Sequence, residues 1–192
     1  MGGDNAPAEP VKAAVEAVAE REDIDVILTG RQDVIEKELS KFQNYPKERI
    51  QIVNTTEVIE TAEPPVLAIR KKKDSSMVVA LKMVKDKTAD AFVSAGSSGA
   101  ILVGGQFVVG RIKGIKRAPL GAVMPTAKGP MLLVDAGANM DAKAEISASV
   151  CTDGIYLIWK MFLESKTKSW TCQCRCGRSQ RKSAGKRNRS NY

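Results

Sequence analysis

The sequence of 192 residues contains no histidine, and its four cysteines all lie after residue 150. A catalytic serine or cysteine usually passes its proton to a neighbouring histidine base. Because residues 1–150 hold neither histidine nor cysteine, nucleophilic catalysis of the Ser-His or Cys-His type is excluded there.

Several other features are missing. No run of 18 apolar residues is present, so no segment is expected to span a membrane, and no secretory signal peptide is visible. The sequence has no P-loop lysine motif and no G-x-G-x-x-G after a first strand, which argues against a typical NTPase or dinucleotide enzyme. The apolar fraction of 43% is enough for a core, and the length suits one domain or one and a half.

The net charge of +8 is unevenly distributed along the chain. Residues 1–150 hold 20 Lys and Arg against 20 Asp and Glu, whereas residues 151–192 hold 10 against 2. All four cysteines and both tryptophans also lie in this second stretch. We therefore divide the chain into a domain, residues 1–150, and an aberrant, basic, cysteine-rich tail, residues 151–192, that we expect to be disordered.

Three interpretations of the tail are open: a basic arm for nucleic acid, a metal-binding knuckle, or out-of-frame translation. In Cys172–Cys176 one residue separates each cysteine from the next, whereas two residues usually separate paired zinc ligands, and no fourth cysteine is near. A one-base shift over Thr167–Tyr192 allows PRVGLVNVGAEEVKGNQLAKETDQT, which has a strand pattern, a glycine turn and a polar helical run. We favour the out-of-frame interpretation and expect no function of the tail itself and no nucleic-acid partner.

Within residues 1–150, apolar runs that suit strands alternate with helical patterns, which predicts an α/β fold with a largely parallel sheet. The predicted strands are 25–30, 49–54, 89–93, 119–124 and 130–134, the last two paired through 126–129. The predicted helices are 11–19 after Pro10, 31–41 with Val34, Ile35 and Leu39 inward, one after Pro64-Pro65, 77–87 capped by Ser75 or Ser76, and 100–109.

Three turns of small residues follow the strands or open the chain, and ligands of parallel sheets bind beyond the carboxyl ends of the strands. The turn Ser94–Gly99 lies between a predicted strand and a predicted helix, so the first N–H groups of that helix could hold an anion. The other two turns are Gly2–Asn5 and Asp135–Asn139. Basic loops are predicted at Arg70–Lys73 and Arg111–Arg117. The first is either a solvated face or a docking surface for an acidic partner or a phosphate.

Four motifs occur in order along residues 1–150: MGGDNAP, a Lys-Lys-Asp-Ser-Ser segment ending at Ser76, VSAGSSGA and DAGAN. Together they resemble the bacterial phosphate acyltransferase family. The resemblance implies a Rossmann-like three-layer parallel-sheet fold similar to phosphotransacetylase, without metal or organic cofactor. It implies transfer of a long acyl chain from acyl carrier protein to inorganic phosphate, which gives acyl phosphate for phospholipid synthesis. It also implies a homodimer in the cytoplasm, with peripheral contact to the inner face of the membrane.

The resemblance and the motif positions assign roles to individual residues. We predict catalytic roles, through contact with phosphate, water or the oxyanion, for Asp4, Ser94, Ser97, Ser98 and Asn139. Phosphate or substrate binding is predicted for Gly2, Gly3, Gly96, Gly99, Asp135 and Gly137, although Asp135 also suits a role in stabilising its turn. Steering of the acidic carrier protein is predicted for Lys72, Lys73, Arg111 and Arg117.

The chain also departs from the family pattern. Ser97-Ser98 stands where the family usually has Asn-Thr, and a strand ending in Asp-Ala normally precedes Met-Gly-Gly-Asp. We therefore expect a fold that is incomplete at both ends and little or no activity of the chain as written. Two alternative functions stay open: a phosphotransacetylase-like enzyme that uses acyl-CoA, and nucleic-acid binding through the basic tail.

Overall fold

The computed structural model describes residues 3–111, 118–127, 129–134 and 136. The chain divides into two compact units, Met1–Arg111 and Ile112–Tyr192. The helices of the first unit are α1 (Ala8–Glu20), α2 (Gln32–Leu39), α3 (Pro65–Lys71), α4 (Ser76–Lys85) and α5 (Ser98–Gly104). Its strands are β1 (Val26–Gly30) and β2 (Ile50–Asn54), with a 3-10 turn at Lys47–Arg49 and a π-helical turn at Gly105–Val109.

The two strands of the first unit run parallel, in a register that pairs Val26 with Ile50 and Gly30 with Asn54. Helix α2 connects them, as a parallel pair requires a crossover connection. The predicted strands at 25–30 and 49–54 are thus confirmed to within a residue, and the α/β class is confirmed.

Helices pack on both faces of this strand pair. Leu28 packs with Val11 and Val15 of α1 and with Ile35 and Leu39 of α2 in one apolar cluster. The next residue along β1, Thr29, donates a hydrogen bond of 3.0 Å to the carbonyl oxygen of Ser76, at the start of α4. Because successive strand residues point to opposite faces, α4 lies across the sheet from α1 and α2.

A second apolar cluster joins helices α3, α4 and α5. It contains Ile69 of α3, Val78 and Leu81 of α4 and Ala100 of α5, all buried. Burying each of the three larger side chains, those of Ile69, Val78 and Leu81, contributes about 1.5–3 kcal/mol to stability.

Small residues let α5 approach its two neighbours closely. A Cβ atom at Gly99 would lie 3.0 Å from Cγ of Pro65, and one at Gly104 would lie 3.3 Å from Cδ1 of Ile69. The first of these contacts joins the beginnings of α3 and α5 and the second joins their later turns, so the two helices lie side by side in the same direction. A Cβ at Gly104 would also meet the Leu81 side chain of α4.

Arg49 ties the start of β2 to the end of α1. Its guanidinium donates to the carbonyl oxygen of Val18 at 3.1 Å, to the carbonyl oxygen of Ile24, and to Oδ1 of Asp25 at 3.1 Å. The carbonyls in the last turn of a helix have no intrahelical partner, so the bond to Val18 satisfies one of them.

Three predictions about the first unit need correction. Residues 89–93 form no strand, and Val93 is 93% exposed; an extended segment becomes a strand only where a neighbour pairs with it, and none of the described residues does so. Arg70 and Lys71 belong to the last turn of α3 rather than to a loop. Helix α1 begins at Ala8, since Pro10 is tolerated in a first turn whose N–H groups need no helical acceptor.

The described part of the second unit contains an antiparallel hairpin, β3 (Gly121–Thr126) with β4 (Gly129–Val134). Its register pairs Val123 with Leu132 and Met124 with Met131. The two predicted strands and their pairing are confirmed, with β3 ending two residues later than expected.

The end of α4 places a lysine in a left-handed backbone conformation. Lys87 has φ of 60°, and its N–H donates to the carbonyl of Val84 at 3.2 Å, while Thr88 N–H donates to the carbonyl of Met83 at 2.9 Å. These two bonds form a Schellman motif, in which the left-handed position is usually glycine because a Cβ is strained there.

We expect Lys87→Gly to stabilise the protein by about 0.5–1 kcal/mol, since it removes the strain of a Cβ at positive φ. The measurement is thermal unfolding, with a rise in melting temperature of about 1–4 °C. Lys87→Ala is the control, because alanine loses the charge but keeps the Cβ. A gain for alanine equal to that for glycine would contradict the strain argument.

Candidate active site

Two of the small-residue turns lie in contact although they are far apart in the sequence. A Cβ at Gly3 would lie 3.2 Å from both the Cβ and the carbonyl oxygen of Ala95. A side chain at position 3 would make this contact tighter than most real Cβ contacts, so Ala95 would have to shift by a few tenths of an ångström. The fold thus brings the Gly-Gly-Asp turn beside the turn Ser94–Gly99.

A cleft of about 220 Å³ opens beside this contact. It is lined by Gly3, Asp4, Asn5, Ala6, Glu9, Pro10 and Ala95. The turn that forms one wall is held by a 3.0 Å bond from Ala6 N–H to the carbonyl of Gly3 and by a 3.2 Å bond from Glu9 N–H to the carbonyl of Asn5. The ionisable groups in the lining are the carboxyls of Asp4 and Glu9, so an anion in this cleft needs backbone N–H groups or cations from outside the lining.

The turn Ser94–Gly99 uses two of its serines to hold its own backbone. Ser94 Oγ accepts the N–H of Gly96 at 3.0 Å, and Ser97 Oγ accepts the N–H of Ala100 at 3.4 Å as the N-cap of α5. Each hydroxyl keeps its hydrogen for donation to another group. The side chain of Ser98 is exposed.

Two backbone donors at the start of α5 stay available. Within the part of the chain that the structure describes, the N–H groups of Ser98 and Gly99 have no hydrogen-bond acceptor. The first N–H groups of a helix point out of its N-terminal end and have no acceptor within the helix, so both can donate to an incoming acceptor. The predicted anion-binding geometry at this turn therefore retains two of its donors.

The Lys-Lys-Asp-Ser-Ser segment holds the loop that follows β2. Lys72 Nζ donates to the carboxylate of Glu63 and, at 2.6 Å, to the carbonyl oxygen of Val58. Asp74 Oδ2 accepts the N–H of Thr56 at 2.8 Å and its hydroxyl at 2.5 Å. Lys72, predicted to dock a carrier protein, thus makes contacts inside this unit.

The same segment starts α4 at the carboxyl ends of the strands. Ser75 is fully buried and caps the helix by accepting the N–H of Val78 at 3.4 Å, as predicted. Ser75 also forms a parallel bridge with Glu57. Sequence reasoning missed Thr56 and Glu57 as partners of this motif, and their position two and three residues after the predicted strand 49–54 was the signal that could have found them.

Two carboxyls that hold the loop after β2 against the start of α4, those of Glu63 and Asp74, have lowered pKa values. The pKa of Glu63 is lowered, first by the hydrogen bond from Lys72 and then by the N–H of Glu60. The pKa of Asp74 is lowered, first by the hydroxyl of Thr56 and then by its N–H. Donors that bind the charged form of an acid favour its ionisation.

Several predicted site residues lie outside the described residues. They are Gly2, Arg117, Asp135, Gly137 and Asn139. Of the third turn, Ala136 is described, and its N–H donates to the carbonyl of Leu120 at 2.8 Å. Among the described residues no group of three acidic or cysteine side chains could hold a metal ion, and no helix is long and apolar enough to cross a membrane.

Comparison with known proteins agrees with the motifs. Residues 1–156 match the model of a family described as fatty acid synthesis protein. A phosphate acyltransferase of Alkaliphilus oremlandii is 59% identical over 143 residues, which are 74% of this chain and 42% of the relative. A putative phosphate acyltransferase of Clostridium perfringens is 49% identical over 143 residues, again 74% and 42%. A phosphate acyltransferase of Clostridium botulinum is 53% identical over 145 residues, which are 76% of this chain and 43% of the relative.

The chain belongs to this fatty acid synthesis protein family, as the match over residues 1–156 shows. The resemblance to phosphate acyltransferases, inferred from four motifs, is confirmed. The chain spans about two fifths of the length of the curated relatives that it matches.

The lowered pKa values predict a loss of stability in acid. A carboxyl whose folded pKa lies below its unfolded value of about 3.9 for Asp or 4.3 for Glu stabilises the fold above that value. This contribution is lost as the pH falls through the folded pKa. We expect Asp74→Asn to lower the melting temperature at pH 7, and the difference from the parent protein to shrink below about pH 4.

The control for this prediction is Asp90→Asn. The side chain of Asp90 is exposed and has no hydrogen-bond partner among the described residues, so its replacement should leave the melting temperature nearly unchanged at both pH values. Equal behaviour of the two variants would show that the Asp74–Thr56 bonds contribute nothing to stability.

Proposed function

We propose that this protein transfers a long-chain fatty acyl group from acyl carrier protein to inorganic phosphate and so makes acyl phosphate for phospholipid synthesis. Family membership and the names of the relatives support this reaction. The observation that carries it in the structure is the contact between Gly3 and Ala95, which joins two motifs in one cleft.

The reaction needs an anion site next to donors for a developing negative charge. A phosphate oxygen attacks the thioester carbonyl, a carbon–oxygen bond forms, and the carbon–sulfur bond breaks to release the carrier's thiol. Backbone N–H groups and hydroxyls can hold phosphate and stabilise the oxyanion without a nucleophile on the protein. We assign these donors to the turn Ser94–Gly99, with the N–H groups of Ser98 and Gly99 and the hydroxyls of Ser94, Ser97 and Ser98.

The remaining assignments follow the family motifs. Gly2, Gly3 and Gly96 are assigned to the close approach of phosphate to the backbone, and phosphate or substrate binding by Asp135 and Gly137 is proposed from their place in the DAGAN motif alone. Asp4 and Asn139 orient phosphate or a water molecule. Asp4 lines the cleft, which supports its assignment.

Fold and assembly are part of the same proposal. We assign residues 1–150 to a Rossmann-like three-layer domain similar to phosphotransacetylase, because helices lie on both faces of the parallel pair. The part of the tail after residue 156, where the family match ends, is assigned to out-of-frame sequence. Homodimerisation, a cytoplasmic location and peripheral contact with the membrane are proposed from the family resemblance.

Two other functions are distinguishable by simple assays. A phosphotransacetylase-like enzyme would prefer short acyl-CoA over long-chain acyl carrier protein, so comparing the two donors separates the reactions. Nucleic-acid binding through the tail would weaken steeply with salt and vanish when residues 151–192 are deleted.

The test of the phosphate site is Ser97→Asp, assayed as acyl phosphate formed from acyl carrier protein and phosphate. Aspartate keeps the N-cap of α5 but places a negative charge beside the phosphate. We expect KM for phosphate to rise at least about tenfold, the equivalent of about 1.4 kcal/mol. The melting temperature should stay nearly unchanged.

Activity is measured on this chain and on a chimera in which residues 1–150 continue into the remaining part of the Alkaliphilus oremlandii relative. Ser97→Thr is the control, since threonine also caps the helix and adds no charge. An unchanged KM in Ser97→Asp would remove the turn from the phosphate site. Absence of acyl phosphate from both the chain and the chimera would refute the proposed reaction.

A further inference from the structure

The outer face of α3 carries two apolar side chains followed by two cations. Val66 is 48% exposed and Leu67 is 51% exposed, and Arg70 and Lys71 are also exposed. Arg70 lies four residues after Val66, and Lys71 lies four after Leu67. Residues four apart are neighbours on a helix surface, so the apolar pair and the basic pair form one continuous face.

The cations of this face are free to meet a partner. Within the described residues the side chains of Arg70, Lys71 and Lys73 form no hydrogen bond and no ion pair. Lys72 is different, because its ammonium is held by Glu63 and by the carbonyl of Val58. Only one of the four successive cations is therefore used by the fold itself.

The face begins at the proposed phosphate site. Pro65, the first residue of α3, packs against Gly99 of the turn Ser94–Gly99, with 3.0 Å between Cγ of Pro65 and a Cβ at Gly99. Val66 follows directly, and at 1.5 Å per residue the cations lie about 6–8 Å further along the helix. A partner that delivers a reactive group to the turn could therefore rest on this face.

We propose that the outer face of α3 (Val66, Leu67, Arg70 and Lys71), together with the exposed Lys73 that follows the helix, is the docking surface for the acidic acyl carrier protein. The proposal rests on the proposed function and names the surface that its partner uses. Apolar contacts near the site and ion pairs further out match the usual anatomy of a transient interface, in which complementary charge sets the rate of encounter. Lys72 takes no part.

A membrane is the less suitable occupant of this face. A helix that lies in a bilayer surface presents an apolar stripe along its length, with its cations on the opposite, polar side. In α3 the apolar and basic residues follow one another along the same face, so inserting Val66 and Leu67 would draw Arg70 and Lys71 toward the lipid. An acidic protein surface meets both halves of the face at once.

The test is the binding of fluorescently labelled acyl carrier protein to the full 192-residue chain, measured by anisotropy at low salt. We expect the triple variant Arg70→Glu, Lys71→Glu, Lys73→Glu to weaken binding at least about tenfold, because three attractive contacts become repulsive. The control triple variant is Lys37→Glu, Lys47→Glu, Lys85→Glu, which reverses the same number of exposed positive charges on other elements. It should change binding less than about threefold.

Equal weakening by both triple variants would overturn the proposal, because net charge alone would then account for binding. A second variant, Leu67→Ser, tests the apolar half and should weaken binding about threefold, since it exposes less apolar surface to the partner. If the triple variant of Arg70, Lys71 and Lys73 lost binding to anionic phospholipid vesicles and bound the carrier protein as before, the face would be assigned to the membrane and the docking proposal would be refuted.

A turnover assay separates this proposal from the proposed function. In the chimera, charge reversal on α3 should raise KM for acyl carrier protein and leave turnover of an acyl-pantetheine thioester unchanged. Loss of turnover with both donors would show that α3 acts on the chemistry rather than on docking. If no acyl phosphate forms from any donor, the reaction is refuted, while the binding comparison still decides the docking surface.

Discussion

The parallel pairing of β1 with β2 decides where α1, α2 and the start of α4 lie. Parallel strands need a crossover, which α2 provides, and their side chains alternate between the two faces of the pair. On one face Leu28 packs against α1 and α2, and on the other face Thr29 donates a hydrogen bond to the start of α4. The carboxyl ends of both strands then meet at Gly30 and Asn54, where the polar junction begins.

That junction shows why the Lys-Lys-Asp-Ser-Ser motif has its composition. Lys72 donates to a carbonyl and a carboxylate of the loop after β2. Asp74 accepts an N–H and a hydroxyl of that loop, and Ser75 accepts an N–H in the first turn of α4. Buried or half-buried polar groups must find partners, so these side chains fix the loop after β2 against the helix. A family motif can therefore stabilise the fold as well as take part in chemistry. Lys72 is an example, because its ammonium binds groups of the fold itself.

The proposed site follows from close backbone approach rather than from charged side chains. Gly3 against Ala95 and Gly99 against Pro65 bring two turns and one helix start together. Acyl transfer to phosphate by such a site depends on oriented N–H and hydroxyl groups, which suits a chain without histidine. The proposed docking face on α3 lies next to this site, because Pro65, the first residue of α3, packs against Gly99.

Sequence alone determined the elements whose signals are local. Periodic apolar residues predicted α2, β1 and β2, Pro65 predicted the start of α3, and Ser75 predicted the cap of α4. It also determined the family, because four motifs in fixed order are specific. The tertiary structure decided what depends on distant neighbours: residues 89–93 form no strand because no described residue pairs with them, and Lys72 turns inward because Glu63 and Val58 lie within reach. The contact of Gly3 with Ala95 joins residues that no local pattern relates, so only folding could place them together.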